Sequence, residues 1–408
     1  MNTTLGKSKT SGFLKTQAVG GAENLQRIRE LIKKDKGAWQ LDKLQDYDPD
    51  FLEKVQTIAA STRSEKSQHV HAQFFRHKGE PQQANHPTQR HTDKSLELAM
   101  MRNRLQRSLR SLDGWATDKH LYQPIRLDNY IAGTSDLGLA CDDLFRLGLI
   151  EIKKGLLQAP KGMTSLAQKN IIAGTIRMIV SDATLIELLK NTKQPDTDSL
   201  DGITHLMLCA VATGQHQFIE PFHSTVFKGL NNGYGVRDGH NLPFGTTLRY
   251  AAFGLAIIGD WLGKPLDLDK HALPRDPAWG QLVAHWREPD PEKLLPVLLA
   301  ACDTHVERIA LTSRELDSGN FEFGSPFEAV YPAEILAILN LRRSLGLANP
   351  FIDHPLMKTP YAALTCPPGT RFEKDELLER FLLAARKHDP EAVPEGLYEA
   401  VQHLPTEH

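Results

Sequence analysis

The clearest candidates for chemistry are two pairs of histidine and acidic side chains in the last third of the chain. His285 and Glu288 lie one helical turn apart, and Asp303 and His305 follow in the next predicted helix. Imidazole nitrogens and carboxylate oxygens bind divalent cations, and a bound cation can activate water. One hypothesis is therefore a metal-dependent hydrolase. The alternative, which we favour, is that these groups bond one another and tie two helices together.

Other catalytic patterns are missing from the sequence. Neither G-x-S-x-G, H-E-x-x-H nor C-x-x-C occurs, and Gly6-Lys7-Ser8 lacks the upstream glycine of a phosphate-binding loop. The five histidines within 61–93 lie in a polar stretch that we interpret as a helix end followed by a solvated loop. We therefore expect no enzyme activity, no cofactor and no bound metal.

The elements that would position these side chains are predicted to be helices. Apolar residues recur at helical spacing over about 136–157, 164–191, 200–214 and 246–262. Asp290 followed by Pro291 indicates a helix start, and a nearly all-apolar run after Pro332 predicts a buried helix that ends at Gly346. Alternating strand patterns are scarce. The sequence thus predicts an all-α protein, an array of helices joined by short Pro/Gly turns.

Charge divides the 408 residues unevenly, although the formal net charge is only −2. Residues 276–408 hold 12 Lys and Arg against 21 Asp and Glu, whereas residues 1–130 hold 22 against 15. We predict a basic, partly helical region over 1–130, a helical domain over 131–270 and an acidic helical domain over 271–408. The low net charge argues against direct nucleic-acid binding. The widely spaced cysteines and the lack of a signal or membrane-spanning segment favour the cytoplasm and no membrane partner.

The last third also carries a recognisable series of short motifs. They are Asp-Pro-Ala-Trp at 276–279, His-Trp-Arg-Glu-Pro-Asp-Pro at 285–291, Cys-Asp-Thr-His at 302–305, Phe-Glu-Phe at 321–323, Pro-Ala-Glu-Ile-Leu at 332–336, Leu-Arg at 341–342, Gly-Leu-Ala-Asn-Pro at 346–350 and Asp-His-Pro-Leu-Met at 353–357. This series resembles the C-terminal helical domain of the PoNe-type immunity proteins. The resemblance covers about 270–365, extends more weakly over 130–270 and leaves out residues 1–130.

The resemblance implies a cytoplasmic protein that binds a secreted nuclease toxin, a type VI secretion effector with a restriction-endonuclease-like domain, and neutralises it by contact. A helical adaptor with another protein partner is a further alternative. Nucleases that grip phosphates are often basic, so an acidic face on the inhibitor is physically reasonable. The segment 315–322 is acidic and turn-like, and we expect an exposed binding surface there that consists of Glu315, Asp317, Glu322 and the nearby Glu328.

Overall fold

Helices make up the regular structure of this chain. The computed structural model describes residues 103–117, 122–190, 199–231, 247–370 and 373–402, and these residues form fourteen α-helices and no β-strand. The all-α prediction is confirmed for this part of the chain. In order, the helices are α1 (103–117), α2 (Ile125–Ile131), α3 (Leu137–Gln158), α4 (Thr164–Leu189), α5 (Leu200–Ala212), α6 (Ile219–Asn231), α7 (Arg249–Trp261), α8 (Pro277–His285), α9 (Pro291–Glu307), α10 (Ser313–Leu316), α11 (Pro326–Val330), α12 (Ala333–Ser344), α13 (Glu376–His388) and α14 (Leu397–Gln402).

The two longest helices, α3 and α4, form an antiparallel pair that meets at glycines. A Cβ atom on Gly174 would lie 2.5 Å from the Gly148 carbonyl oxygen, and one on Gly148 would lie 2.7 Å from the Gly174 carbonyl oxygen. Farther along the pair, a Cβ on Gly155 would lie 2.9 Å from the Ala167 carbonyl oxygen. Only residues without a side chain allow the two backbones to approach this closely.

Helix α12 is the central element, as its apolar sequence predicts. Every residue from Ala333 to Arg342 is buried, and the helix packs along α5. Its buried Asn340 donates Nδ2 hydrogen bonds to the carbonyls of Val211, at the end of α5, and of Cys366. The helix ends as predicted, with Gly346 in the left-handed region at a φ of 71°.

The segment 365–370 lies across the C-terminal end of α5 and bonds to it. The Cys366 N–H and the Thr365 hydroxyl both donate to the Ala212 carbonyl, and the Gly369 N–H donates to the Gly214 carbonyl. The Gln215 side chain in turn donates to the Thr370 carbonyl. The last carbonyls of α5, which no helix can satisfy internally, are thus paired with a distant part of the chain.

One hydrophobic core serves both of the predicted domains 131–270 and 271–408. Phe253 of α7 stacks on Trp279 of α8, with ring centroids 4.9 Å apart, and the buried residues continue on either side of them. The four cysteines are buried and unpaired. Residues 1–102, which include most of the predicted basic region and the histidine-rich 61–93 stretch, lie outside the described residues.

Candidate partner-binding surface

The expected binding segment forms a loop that is tied at its base. Ile309 and Phe323 pair in an isolated bridge, in which the Ala310 N–H donates to the Phe323 carbonyl at 2.9 Å. Helix α10 and a turn lie between Ile309 and Phe323. Thr312 caps the helix, because its hydroxyl accepts a hydrogen bond from the Glu315 N–H. The bridge and the capped helix therefore hold the loop in a defined conformation.

Glu315 fastens the loop to helix α1. Its carboxylate receives two hydrogen bonds from Arg104, at 3.0 and 3.2 Å, and a third from the Leu311 N–H at 2.7 Å. Arg104 also donates to the Ile309 carbonyl and lies over the Phe321 ring. The Arg104 guanidinium holds the pKa of Glu315 below its usual value. Glu315 thus already has a structural role, with 28% of its side chain exposed.

The expected exposure of Glu322 is wrong, because its side chain is fully buried. The carboxylate forms ion pairs with Arg308 at 2.8 Å and Arg249 at 3.0 Å, and it accepts from the Trp279 indole N–H at 2.9 Å. Arg308 also pairs with Asp276, the residue that caps α8. Burial raises the pKa of Glu322, and the two guanidinium groups oppose that rise. A buried carboxylate needs such partners, and here they come from three separate elements.

Glu328 is also committed to local structure. Together with Ser325 it forms a capping box at the start of α11: its carboxylate accepts from the backbone N–H groups of Gly324 and Ser325, and the Ser325 hydroxyl accepts from the Glu328 N–H. The Ser-x-x-Glu spacing is a recognisable helix-start pattern that our sequence reading missed. Asp317 is the exception among the four predicted residues. Its side chain is exposed and forms no hydrogen bond or ion pair with the residues that the structure describes.

The four residues of the hydrolase hypothesis lie in separate environments, and the favoured expectation that they bond one another is wrong, because their partners are other residues. His305 is buried, with Nδ1 2.7 Å from a Glu334 oxygen and Nε2 3.2 Å from the Ala329 carbonyl oxygen. Asp303 bonds to His354 instead, at 3.1 Å. Glu288 accepts from the Asp290 N–H, and His285 is exposed. Within the described ranges, no group of three or more His, Cys, Asp and Glu side chains has a geometry suited to a metal ion.

Arg342, which the sequence analysis named only as part of the Leu-Arg motif, is a buried cation. It is 0% exposed and donates to the carbonyls of Trp286, Glu288 and Ala348 and to the Asn349 side chain. Burial lowers the pKa of Arg342. The side chain joins the connection between α8 and α9 to the turn that follows α12. Arginine suits this role because its planar head presents five donors in fixed directions.

Comparison with protein-family models, with curated proteins and with solved structures finds no match to this chain. Among the described helices, none combines the length and the apolar character that crossing a membrane requires.

Proposed function

We propose that this chain is a cytoplasmic immunity protein that binds a cognate nuclease effector of a type VI secretion system and neutralises it by direct contact. The observation that carries the proposal is the arrangement of the motifs on which the family resemblance rests. These motifs are separate in the sequence, but in the fold they contact one another and form one connected framework.

Side-chain contacts link the first of these motifs. Trp279 in the 276–279 motif donates to Glu322 in the 321–323 motif. His305 stacks on Phe323, with ring centroids 4.1 Å apart, and bonds to Glu334 in the 332–336 motif. Contacts of this kind give each of these residues a structural reason for its position, and they support the proposal that the series of motifs specifies one fold.

The remaining motifs join through two further contacts. Asp303 bonds to His354 in the 353–357 motif. Arg342, on the same helix as Glu334, bonds to the carbonyls of Trp286 and Ala348 and so connects the 285–291 and 346–350 motifs. Every motif in the series is therefore part of the framework, which leaves the binding surface to residues outside it.

Exposed acidic residues supply the chemistry that a basic nuclease would recognise. Asp317 is exposed on the 310–323 loop, and further exposed acids occur on α9, on α13 and between α13 and α14: Glu292, Glu376 and Glu391. A nuclease carries basic groups that contact phosphates, and complementary charge accelerates its association with an inhibitor. We place Asp317 in the binding surface, and the buried Glu322 and the two bonded acids, Glu315 and Glu328, in its support.

The experiment first looks for a toxin gene beside the gene for this chain. It then expresses the full chain together with that toxin and measures growth of the host and nuclease activity of the purified toxin. Protection, together with inhibition at a one-to-one ratio, is the expected result. Binding without inhibition would favour the adaptor alternative. A neighbouring toxin that is neither bound nor inhibited would refute the proposal.

A charge-reversal pair tests the surface. Asp317→Lys should slow association with the toxin at low salt and have less effect at high salt, because a rim charge acts mainly on the encounter rate. Glu399→Lys makes the same change in charge on the last helix and serves as the matched control. Equal association rates for both variants at low salt would remove Asp317 from the binding surface without affecting the function itself.

A further inference from the structure

One arginine of helix α1 contacts the 310–323 loop and its base at three places. Arg104 donates to the Ile309 carbonyl at 2.8 Å, where the loop begins. Its guanidinium also donates to both oxygens of the Glu315 carboxylate, at 3.0 and 3.2 Å, in the middle of the loop. The same group lies over the Phe321 ring near the other end, 4.8 Å from the ring centroid. A single side chain therefore connects both ends of the loop to its centre.

The planar head of an arginine makes this arrangement possible. A guanidinium presents five N–H donors in fixed directions, so it can bind a carboxylate through two hydrogen bonds while a further N–H reaches a carbonyl. Its flat face can lie on an aromatic ring at the same time, and Arg104 makes all of these contacts. Lysine carries a more compact charge and cannot reproduce the set. The contacts of the loop thus require an arginine at this position.

Few other bonds attach the outer part of the loop, residues 316–320, to the rest of the described structure. Arg249 donates to the Gly319 carbonyl at 3.4 Å, which is long for a hydrogen bond. The other hydrogen bonds of this part stay within helix α10 and the turn that follows it. Asp317 belongs to this outer part and lies between two of the places where Arg104 contacts the loop. Its position therefore depends on those contacts.

The charge and the contacts of Arg104 affect a basic partner in opposite directions. As a cation, Arg104 reduces the negative charge of the loop and slows the approach of a basic protein. As a fixed support, it orders the loop before the encounter, so that less conformational entropy is lost on binding. The side chains of Arg104 and Glu315 are 25% and 28% exposed, so salt and solvent weaken the effect of the charge. We expect the ordering effect to be the larger one.

We propose that Arg104 is a positioning residue for partner binding, which holds the 310–323 loop, and Asp317 on it, in the conformation that meets the basic surface of the nuclease. Arg104 acts through its contacts with the loop. The inference rests on the proposed function for the identity of the partner. The ordering of the loop, in contrast, is a property of the free chain and can be measured without any partner.

The first test measures amide hydrogen exchange in the free full chain. Arg104→Ala should accelerate exchange over residues 311–321 about tenfold or more, because the Leu311 N–H bonds to the carboxylate that Arg104 holds. Arg104→Lys keeps the charge but not the set of contacts, and it should give most of the same acceleration. Exchange in the buried helix α12 should stay as in the wild-type chain and shows that each variant is folded. Unchanged exchange over 311–321 in both variants would overturn the ordering role.

Arg110→Ala is the matched control for charge. It removes a cation from the same helix, where Arg110 is exposed and bonds only to the Gln106 carbonyl among the described residues. Exchange over 311–321 should therefore stay unchanged in this variant. An acceleration equal to that of Arg104→Ala would show that the loss of positive charge, and not the loss of the contacts, loosens the loop, and it would overturn the ordering role.

The second test measures binding to the nuclease toxin. Arg104→Ala should weaken binding about fivefold or more, although it makes the surface more acidic, whereas Arg110→Ala should leave binding unchanged or slightly tighter. Asp317→Ala should have less effect in the Arg104→Ala background than in the wild-type chain, since both changes act on one surface. Binding by Arg104→Ala that equals or exceeds that of the wild-type chain would overturn the positioning role and leave the proposed function intact. A wild-type chain that binds no toxin would refute the proposed function and the positioning role together.

Discussion

Replacing Glu322 should destabilise the whole helical unit, although the residue lies in a segment that looks like a solvated loop. The buried carboxylate accepts from Arg308 at 2.8 Å, from Trp279 at 2.9 Å and from Arg249 at 3.0 Å. Glu322→Ala leaves two arginines without this counter-charge and one buried indole N–H without an acceptor. Breaking a buried ion pair by removing one partner costs about 3–5 kcal/mol, and we expect a loss of unfolding free energy in that range.

The assay is chemical denaturation followed by circular dichroism, with Asp317→Ala as the matched control. Asp317 is a neighbouring acid that is exposed and makes no side-chain bond to the described residues, so its removal should change stability by less than about 0.5 kcal/mol. Glu322→Gln keeps a hydrogen-bond acceptor but loses the charge, and it should give an intermediate value.

A double-mutant cycle with Arg308→Ala separates the ion pair from the other bonds of Glu322. We expect a coupling energy of about 1–3 kcal/mol between the two positions, as for residues in one buried network. A loss below about 1 kcal/mol in Glu322→Ala, together with zero coupling, would refute the reasoning that this network supports the fold.

Three further predictions concern the supporting structure. Arg342→Leu should cost about 3 kcal/mol or more and accelerate amide exchange over 345–350, because it removes the donors of three carbonyls; unchanged exchange would contradict this role. Gly174→Ala should lower the free energy of unfolding by about 1–3 kcal/mol, measured by denaturation, because the new Cβ would lie 2.5 Å from the Gly148 carbonyl oxygen. Gly280→Ala is the control: its Cβ would have no neighbouring atom within 4 Å, so this variant should not be destabilised. Burial lowers the pKa of His223 to about 4, below the ordinary value, so the unfolded chain takes up the proton first as the pH falls. Stability should therefore decline below about pH 6.5, and His223→Leu should remove about 2 kcal/mol of the loss measured between about pH 7.5 and pH 5; an equal decline in both proteins would contradict this.

Much of the helical framework could be predicted from the sequence, because local spacing determines it. The apolar periodicity predicts α3, α4, α5 and α7 to within a few residues, and Asp290 and Gly346 act as the helix start and stop that their types indicate. The burial of α12 follows from its nearly all-apolar composition. The start of helix α8 was missed, although Asp276 and Pro277 form the same kind of start as Asp290 and Pro291. The helix also ends at His285, so Glu288 does not lie one helical turn along it as the sequence analysis expected.

The acidic surface was less predictable, because whether an acidic side chain is exposed or forms an ion pair depends on arginines that are distant in the sequence. Glu315 is bonded by Arg104, 211 positions away, and Glu322 is paired with Arg249, 73 positions away. No local pattern reports such partners. Glu328 is different, since the Ser325–Glu328 spacing is a local signal for a capping box and could have identified its role.

The seam between the end of α5 and the segment 365–370 has a consequence for how the chain folds. The Thr365 hydroxyl and the Ala212 carbonyl are 153 positions apart, so their bond closes a very long loop. Closing a loop of this size costs about 4 kcal/mol of chain entropy, and the contact order of the protein rises accordingly. During synthesis, the last turn of α5 emerges from the ribosome long before its partner exists. The carbonyls of Ala212 and Gly214 therefore cannot reach their final hydrogen bonds until the chain as far as Gly369 has been made, so the end of α5 completes its structure late in synthesis.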